Sequence, residues 1–321
     1  MAWSLFITYV ECLLKLQSEY IWEKLIPSIS EFKVKKMYLF FLFVLGFILI
    51  KISLPFIYKL LLDAGMVKEN FHHETVPAAL GLVFPLTFPI ILLVYQGLKY
   101  FGLSQVLTPG EFYAFLFFIT GLGLLGLTDD ILKDDQEKGF RQHFKRLWQG
   151  KLTSGGLKAV FGFIFSIIFA IGIWVTGKGA WWLLVPQIIV GALSPNVLNL
   201  FDLRPGRALK VVLFGFILLF ITSFLRNGLN PTLYLIAPAI GGILAYFPMD
   251  LKARGMLGDT GANFLGGLFG GIVVLGGSIR LLLMVLIVSV ILQIIAEKVS
   301  FTKIIEENEF LKFIDDLGRK R

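Results

Sequence analysis

Nine apolar runs of membrane-spanning length dominate the chain and most constrain its fold. A helix needs about 20 apolar residues to cross a bilayer core. Only helices and closed barrels satisfy all their backbone hydrogen bonds there. Charged residues make up 16% of the chain, whereas soluble domains average about 25%. The sequence therefore predicts an all-α, polytopic membrane helix bundle of about nine transmembrane helices. The predicted spans are residues 37–63, 77–99, 111–128, 155–176, 180–200, 208–226, 232–249, 260–277 and 279–297.

The two ends of the chain differ from this apolar core. Residues 1–36 mix aromatic side chains, such as Trp3, with scattered charges, a pattern typical of an amphipathic helix in the membrane interface. This segment either forms such a helix or precedes a core that starts near Met37. Residues 37–298 are predicted to form the transmembrane domain, and residues 299–321 a charged cytoplasmic tail.

The distribution of basic residues predicts the orientation of the bundle. Loops that alternate to one side hold most of the Lys and Arg residues, and this bias marks the cytoplasmic side. The basic residues in these loops are Lys133, Lys138, Arg141, Lys145, Arg146, Lys151, Arg204, Arg207, Lys210, Lys252 and Arg254. We therefore assign the net charge of +8 to membrane orientation and to anionic head groups or phosphates. No nucleic acid partner is expected.

Four polar clusters end the apolar runs on this predicted cytoplasmic side. They are Asp129-Asp130, the stretch from Asn196 to Asp202, Asp259 with its neighbours, and the loop from Lys68 to Glu74. Ionisable groups beside a bilayer are costly and are kept mostly where they bind ions or substrates. A carboxylate-rich face on a membrane scaffold favours chemistry on a lipid-borne phosphate, at an active site facing the cytoplasm.

The acidic pair Asp129-Asp130 follows the third apolar run, with Lys133 one turn later. Adjacent carboxylates can hold Mg²⁺, orient a phosphate through the metal or accept a proton. Lys133 is close enough to neutralise phosphate charge. We interpret both acids as catalytic and Lys133 as substrate-binding. The alternative is a solvated helix end, a pattern that the following acids Asp134 and Asp135 fit.

Three polar residues, Asn196, Asn199 and Asp202, recur every three positions. A helix would place them on one face, with the two amides binding substrate and Asp202 acting in catalysis. The alternative is a set of hydrogen bonds between helices, which polar residues in spans often make. Arg204 and Arg207 follow this run and are placed to bind a phosphate.

The third cluster, Gly258-Asp259-Thr260-Gly261, opens the eighth apolar run. Glycines let the backbone approach a ligand, and the free N–H groups at the start of a helix favour an anion. Asp259 could equally cap that helix. In the remaining loop we interpret Lys68 as substrate-binding. Adjacent histidines seldom point the same way, so we assign no metal to His72 and His73.

Three sequences occur in order: Gly-Leu-Thr-Asp-Asp-Ile-Leu-Lys, Asn-x-x-Asn-x-x-Asp and Gly-Asp-Thr-Gly. They resemble the motifs of the polyprenyl-phosphate N-acetylhexosamine-1-phosphate transferase superfamily. The resemblance implies that residues 37–298 form a phosphotransferase-like domain. It implies transfer of a sugar-1-phosphate from a UDP-sugar to undecaprenyl phosphate, with Mg²⁺ as cofactor and release of UMP. The superfamily acts in the synthesis of peptidoglycan and of surface polysaccharides.

The resemblance also implies residue roles and a location. Asp259 would be a Mg²⁺ ligand, with Asp129 and Asp130 near the metal and the lipid phosphate. Asn199 and Asp202 would lie near the nucleotide and its diphosphate. The protein would cross the bacterial cytoplasmic (inner) membrane several times, with the bilayer, undecaprenyl phosphate and a UDP-sugar as partners. A homodimer is compatible with this arrangement.

The chain departs from the family's pattern in three ways. The second motif usually continues with Gly and another Asp, but Pro205 stands where that acid is expected. Residues 300–306, in the region of a late cytoplasmic loop that usually holds several histidines, contain none. Members also commonly have a further span. The missing acid and histidines favour an alternative, a non-catalytic relative that binds lipid phosphate or regulates a membrane partner. A second alternative is a transporter, because Gly-interrupted spans and buried polar residues also occur there, but its ionisable residues would lie near the bilayer midplane.

Overall fold

The structure is a computed structural model that describes residues 2–70, 72–132, 153–177 and 179–319, with the backbone alone over residues 2–31. Within these ranges the chain forms eleven α-helices and one short hairpin. The helices are α1 (Ala2–Asp63), α2 (Val83–Gly97), α3 (Pro109–Leu132), α4 (Ser154–Val175), α5 (Leu184–Phe201), α6 (Arg207–Asn227), α7 (Pro231–Leu251), α8 (Gly258–Leu275), α9 (Ile279–Lys298), α10 (Phe301–Glu307) and α11 (Glu309–Asp316). The hairpin pairs β1 (Val67–Glu69) antiparallel with β2 (Thr75–Pro77), and short 3₁₀ helices cover Leu80–Leu82, Leu98–Phe101 and Trp181–Leu183.

Nine helices of the described ranges are long and apolar enough to cross a membrane. They are α1, counted from Phe32, and the eight helices from α2 to α9 with their adjoining 3₁₀ turns. The predicted all-α, polytopic membrane bundle is therefore confirmed. For the eight spans from α2 to α9, the observed ends differ from the predicted ones by a few residues.

Helix α1 runs for 62 residues without a break. Its backbone is therefore helical on both sides of the predicted boundary between residues 36 and 37. The interfacial placement of residues 1–36 and the division of the chain into three parts stay predictions.

The outer surface of the bundle is apolar. Phe56 on α1, Phe214 on α6 and Ile287 on α9 are among the large apolar side chains that stay exposed. A contiguous apolar surface of this kind marks contact with a membrane or with another apolar partner. On helices of membrane-spanning length, this surface is suited to face lipid.

Helix α8 forms the centre of the bundle. It packs most extensively against α3 and α5, and it also contacts α2, α6 and α7. Its side chains are buried almost without interruption from Thr260 to Val274. Small residues permit this packing, since a Cβ on Gly266 would lie 2.6 Å from the carbonyl oxygen of Ser194 in α5.

Helices α10 and α11 fold the C-terminal residues back onto the start of α6. Arg207 donates from Nε to Asp315 Oδ1 at 2.9 Å and from Nη2 to Oδ2 at 2.7 Å. It also donates from Nη1 to Thr302 Oγ1 at 3.0 Å. Arg319 donates from Nε to the carbonyl oxygen of Pro205 at 2.9 Å. Two parallel hydrogen bonds between a guanidinium and a carboxylate form a strong and directional contact, so the tail is anchored to the bundle.

Helices α3 and α8 lie close together at Gly126. A Cβ at this position would lie 2.3 Å from the carbonyl oxygen of Asp259 and 2.6 Å from Thr260 Cα. These are backbone atoms of a packed helix, so they cannot move aside as a flexible side chain can. The absence of a side chain at Gly126 therefore sets the spacing of the two helices.

We expect Gly126→Ala to lower the temperature of thermal unfolding in lipid nanodiscs, because overpacking a well-packed contact costs about 1–3 kcal/mol. The matched control is Gly97→Ala at the end of α2, where the backbone is helical and a Cβ would meet nothing within 4 Å. Equal unfolding temperatures for the two variants would contradict the close contact of α3 with α8.

Candidate active site

Asp130 lies where α3 meets the first turn of α8. Its Oδ1 accepts a hydrogen bond from the Asp259 N–H at 3.1 Å. Its Oδ2 accepts from the N–H and the hydroxyl of Thr260 at 2.9 and 2.6 Å. The first N–H groups of a helix have no partner within the helix, and a carboxylate there satisfies them and complements the helix dipole. Asp130 is buried and therefore caps α8 from a neighbouring helix.

Asp259 lies inside the first turn of α8 and is not its cap, since no side chain of α8 caps the helix. Gly258 makes this turn possible. Its φ is +71°, and a Cβ on it would lie 2.8 Å from Asp130 Oδ2 and 2.7 Å from the carbonyl oxygen of Ala78. A residue with a side chain would be strained in this conformation and would displace the Asp130 carboxylate.

The side chain of Asp259 meets groups from three other spans. Lys158 Nζ from α4 and Asn199 Nδ2 from α5 both donate to Asp259 Oδ1. Lys158 Nζ also lies 3.5 Å from Asp129 Oδ2 of α3, and the two carboxyl groups are neighbours. The side chains of Lys158, Asp129 and Asp259 are 16%, 19% and 32% exposed, so solvent reaches them. We call Asp129, Lys158, Asn199 and Asp259 the Asp259 cluster.

Asp202 follows the last residue of α5 and lies beside the same turn of α8. Burial raises the pKa of Asp202 well above its ordinary value. This pKa is raised further by the carboxylates of Asp250, Asp259 and Asp130. The backbone N–H of Gly258 faces the carboxyl group and lowers the pKa. Asp202 therefore belongs to the same electrostatic environment as the Asp259 cluster.

The predicted polar face of α5 serves two purposes. Asn196 donates from Nδ2 to Gln293 Oε1 of α9 at 2.7 Å, which is the interhelical hydrogen bond that the sequence analysis gives as the alternative. Asn199, one turn later, donates to Asp259. Of the two predicted substrate-binding amides, Asn199 therefore lies in the cluster, and Asn196 contributes to helix packing.

The two predicted phosphate-binding arginines have different surroundings. Arg204 is exposed and lies 3.3 Å from the exposed Glu306, and a surface pair of this kind contributes about 0–1 kcal/mol. Its guanidinium can therefore exchange this partner for a substrate group. Arg207 is buried and held by Asp315 and Thr302, because the tail folds back over it. Its position is that of an anchor for the tail.

The two predicted substrate-binding lysines lie outside the Asp259 cluster. Lys68 is exposed on β1. Its hairpin is joined to the loop before α8, where Asn70 Nδ2 donates to the carbonyl oxygen of Ala253 at 2.9 Å, and this contact brings Lys68 to the same end of the bundle. Lys133 lies outside the described residues.

Lys158 and Asp250 are site residues that the sequence analysis misses. Lys158 is the single charged residue of α4, and an isolated charge in an apolar span indicates a polar interior or a functional site. Asp250, near the end of α7, is buried and accepts the Gly206 N–H at 2.7 Å. The same signal, a charge within an apolar run, marks it.

The Asp259 cluster has a donor set that suits Mg²⁺. This ion prefers oxygen ligands and is commonly held by one or two carboxylates, with water and substrate phosphates completing the octahedron. Asp129 and Asp259 supply two carboxylates. The Lys158 ammonium contacts both of them, so the position between the two carboxylates stabilises a positive charge. The described part of the chain has no group of three or more His, Cys, Asp or Glu side chains arranged to hold a metal.

Residues 112–277 match the model of the family described as glycosyl transferase family 4. The match covers just over half of the 321 residues. It includes the whole Asp259 cluster together with Asp130 and Asp202. No curated protein matches the chain. The chain belongs to glycosyl transferase family 4, the family of polyprenyl-phosphate hexosamine-1-phosphate transferases.

Proposed function

We propose that this protein transfers a sugar-1-phosphate from a UDP-sugar to undecaprenyl phosphate and releases UMP, with Mg²⁺ as its cofactor. The reaction would take place at the cytoplasmic face of the bacterial cytoplasmic membrane and serve the synthesis of cell wall or surface polysaccharide. Family membership supports the class of reaction. The observation that carries the proposal is the convergence of the Asp259 cluster from four spans.

The position of the cluster favours an enzyme over a transporter. Asp129 lies in the last turn of α3, Lys158 in the first turns of α4, and Asp259 in the first turn of α8. All three are therefore at the ends of spans, where a lipid phosphate and a water-soluble nucleotide can meet. The ionisable residues of transporters are instead expected near the bilayer midplane.

The proposed reaction joins two negatively charged phosphates. An oxygen of the lipid phosphate attacks the sugar-linked phosphorus of the UDP-sugar, and a new P–O bond forms. The bond from this phosphorus to the oxygen shared with the other phosphate breaks, and its electron pair leaves with UMP. A phosphate monoester has a second pKa of about 6, so the attacking oxygen is mostly ionised at neutral pH and needs no strong general base.

Charge repulsion is the main barrier to such a transfer, so cations and orientation supply most of the catalysis. Asp129 and Asp259 would hold Mg²⁺, which neutralises charge on the diphosphate when it is bound. Asn199 orients the Asp259 carboxylate through its hydrogen bond. Lys158 supplies an ammonium group that stabilises negative charge on phosphate oxygens. Asp130 is a positioning residue, because it fixes the turn that carries Asp259.

The remaining predicted residues keep proposed roles around the cluster. Asp202, beside the first turn of α8, is proposed to act near the nucleotide and its diphosphate. Arg204 and Lys68 are exposed cations at the same end of the bundle, and they are proposed to attract the nucleotide phosphates. Lys133 is proposed to offset the charge of the lipid phosphate.

We expect Asp259→Asn to lower kcat for UMP release by at least about 10²-fold. The amide keeps the size of the side chain but loses the negative charge that would hold the metal. The measurement is UMP release by purified protein in nanodiscs that contain undecaprenyl phosphate, with a panel of UDP-sugars. The matched control is Asp63→Asn, at an exposed acid that ends α1.

Wild-type turnover by Asp259→Asn would refute the role of this residue. If the wild-type protein releases no UMP with any UDP-sugar but still binds undecaprenyl phosphate, the proposed transfer is wrong and the non-catalytic alternative holds.

We expect Lys158→Met to have opposite effects on metal binding and on turnover. The ammonium neutralises Asp129 and Asp259, so its removal leaves two neighbouring carboxylates without a counter-charge, and the apparent Kd for Mg²⁺ should fall. Turnover should nevertheless drop by about 10²–10³-fold, the usual effect of losing one electrostatic stabiliser. Isothermal titration calorimetry with Mg²⁺ and UMP release measure the two effects.

Two control variants accompany this test. Lys158→Arg keeps the positive charge and should retain part of the activity, whereas Lys59→Met removes an exposed charge of α1 and should change neither quantity. Weaker Mg²⁺ binding by Lys158→Met, or unchanged turnover, would contradict the proposed role of the ammonium.

A further inference from the structure

Helix α11 turns an apolar face away from the protein. Phe310 and Phe313 lie about 60° apart around the helix at 3.6 residues per turn, and Leu317 directly follows its last residue. They are 69%, 66% and 60% exposed, and we call them the α11 apolar face. A helix on the surface of a soluble protein does the reverse and turns its apolar side to the core. The contact with the bundle is made instead by Asp315, which is 8% exposed and paired with Arg207.

The polar side of α11 is exposed as well. Lys312 lies on the side of the helix away from the α11 apolar face, with Asp316 beside it, and both are exposed. The helix therefore has an apolar face, a polar face and an edge at Asp315 that contacts the bundle. Helices that lie in the plane of the membrane interface have this division, because acyl chains meet one face and water meets the other.

The ends of three spans fix the depth of α11. Phe301 of α10 packs on Phe201, the last residue of α5, with ring centroids 4.9 Å apart. Asp315 is held by Arg207, the first residue of α6. The segment itself follows α9, which ends at Lys298. Because α5, α6 and α9 all begin or end here, α11 lies at the level where the hydrocarbon core gives way to head groups.

We propose that α11 lies in the membrane interface and inserts its apolar face among the lipids of the leaflet next to the Asp259 cluster. The occupant of this face is the bilayer itself, because the segment follows one span and contacts the ends of two others, and the exposed side chains of those spans are mostly apolar. On α9, which leads into this segment, Ile291 and Ile294 are 50% and 51% exposed. The predicted cytoplasmic tail is thus partly a membrane contact.

The contact between Arg207 and Asp315 keeps α11 in this orientation. Burial alone would raise the pKa of Asp315, but the hydrogen bonds and the charge of Arg207, joined by Arg319, hold it below its ordinary value. Asp315 therefore stays ionised and paired at neutral pH. Arg319 also donates to the carbonyl oxygen of Pro205, so α11 connects the leaflet to the loop that follows Asp202.

Site-directed spin labelling tests this placement. The single native cysteine, Cys12, is replaced by serine, and one cysteine at a time is introduced at Phe310 or Phe313. Lys312 serves as the matched control position on the polar face of the same helix. The full chain is reconstituted in nanodiscs of phosphatidylethanolamine and phosphatidylglycerol. Power-saturation spectra then measure collisions of each label with oxygen, which concentrates in lipid, and with a water-soluble nickel chelate.

We expect the ratio of oxygen to nickel collisions to be several-fold higher at positions 310 and 313 than at position 312. Equal ratios on the two faces, whether water-like or lipid-like, would overturn the proposal. Low access to both reagents at 310 and 313, with dipolar broadening between labels, would show that a second copy of the chain covers the face, and would also overturn it. All three positions are exposed, and thermal unfolding of each labelled protein checks that the fold is kept.

Discussion

The carboxylate of Asp130 makes the contact on which the rest of the site depends. It belongs to α3, yet it accepts the first N–H groups of α8. In a bundle embedded in lipid, unpaired N–H groups at the start of a buried helix are costly, since little water is present to satisfy them. Gly126 lets the two helices approach closely enough for this contact. The capped turn then presents Asp259 to Lys158 and Asn199, so a structural contact positions the group proposed to hold the metal.

Charge balance explains the composition of the site. Asp129 and Asp259 are neighbouring carboxylates that would repel each other, and Lys158 offsets this repulsion. The loop after Asp202, where Pro205 stands in place of an expected acid, is held by hydrogen bonds from other segments. Asp250 accepts the N–H of Gly206 in that loop, and the carbonyl oxygen of Pro205 accepts a hydrogen bond from the tail. The loop is therefore held by an acid from α7 and by the C-terminal segment.

The spans could be predicted from the sequence because a run of apolar residues is a local property. The meeting of the acids at one end of the bundle also follows from the alternation of spans. The separate roles of Asp129 and Asp130 could not be predicted, since adjacent residues differ only in the neighbours that their side chains reach through tertiary contacts. Arg204 and Arg207 differ for the same reason, because the folded-back tail covers one and not the other. Lys158 belongs to none of the recognised motifs, and its partners come from two other spans.

Hydrogen–deuterium exchange at the start of α8 tests the cross-helix cap most directly. In Asp130→Ala, the amides of Asp259 and Thr260 lose their acceptor. The peptide covering residues 256–264 should therefore exchange about tenfold faster than in the wild type. This factor corresponds to about 1.4 kcal/mol of capping free energy. Asp129→Ala removes the neighbouring carboxylate, which does not cap these amides, and should leave the exchange of this peptide unchanged. Equal exchange in the wild type and in Asp130→Ala would contradict the cap and the account of the site that depends on it.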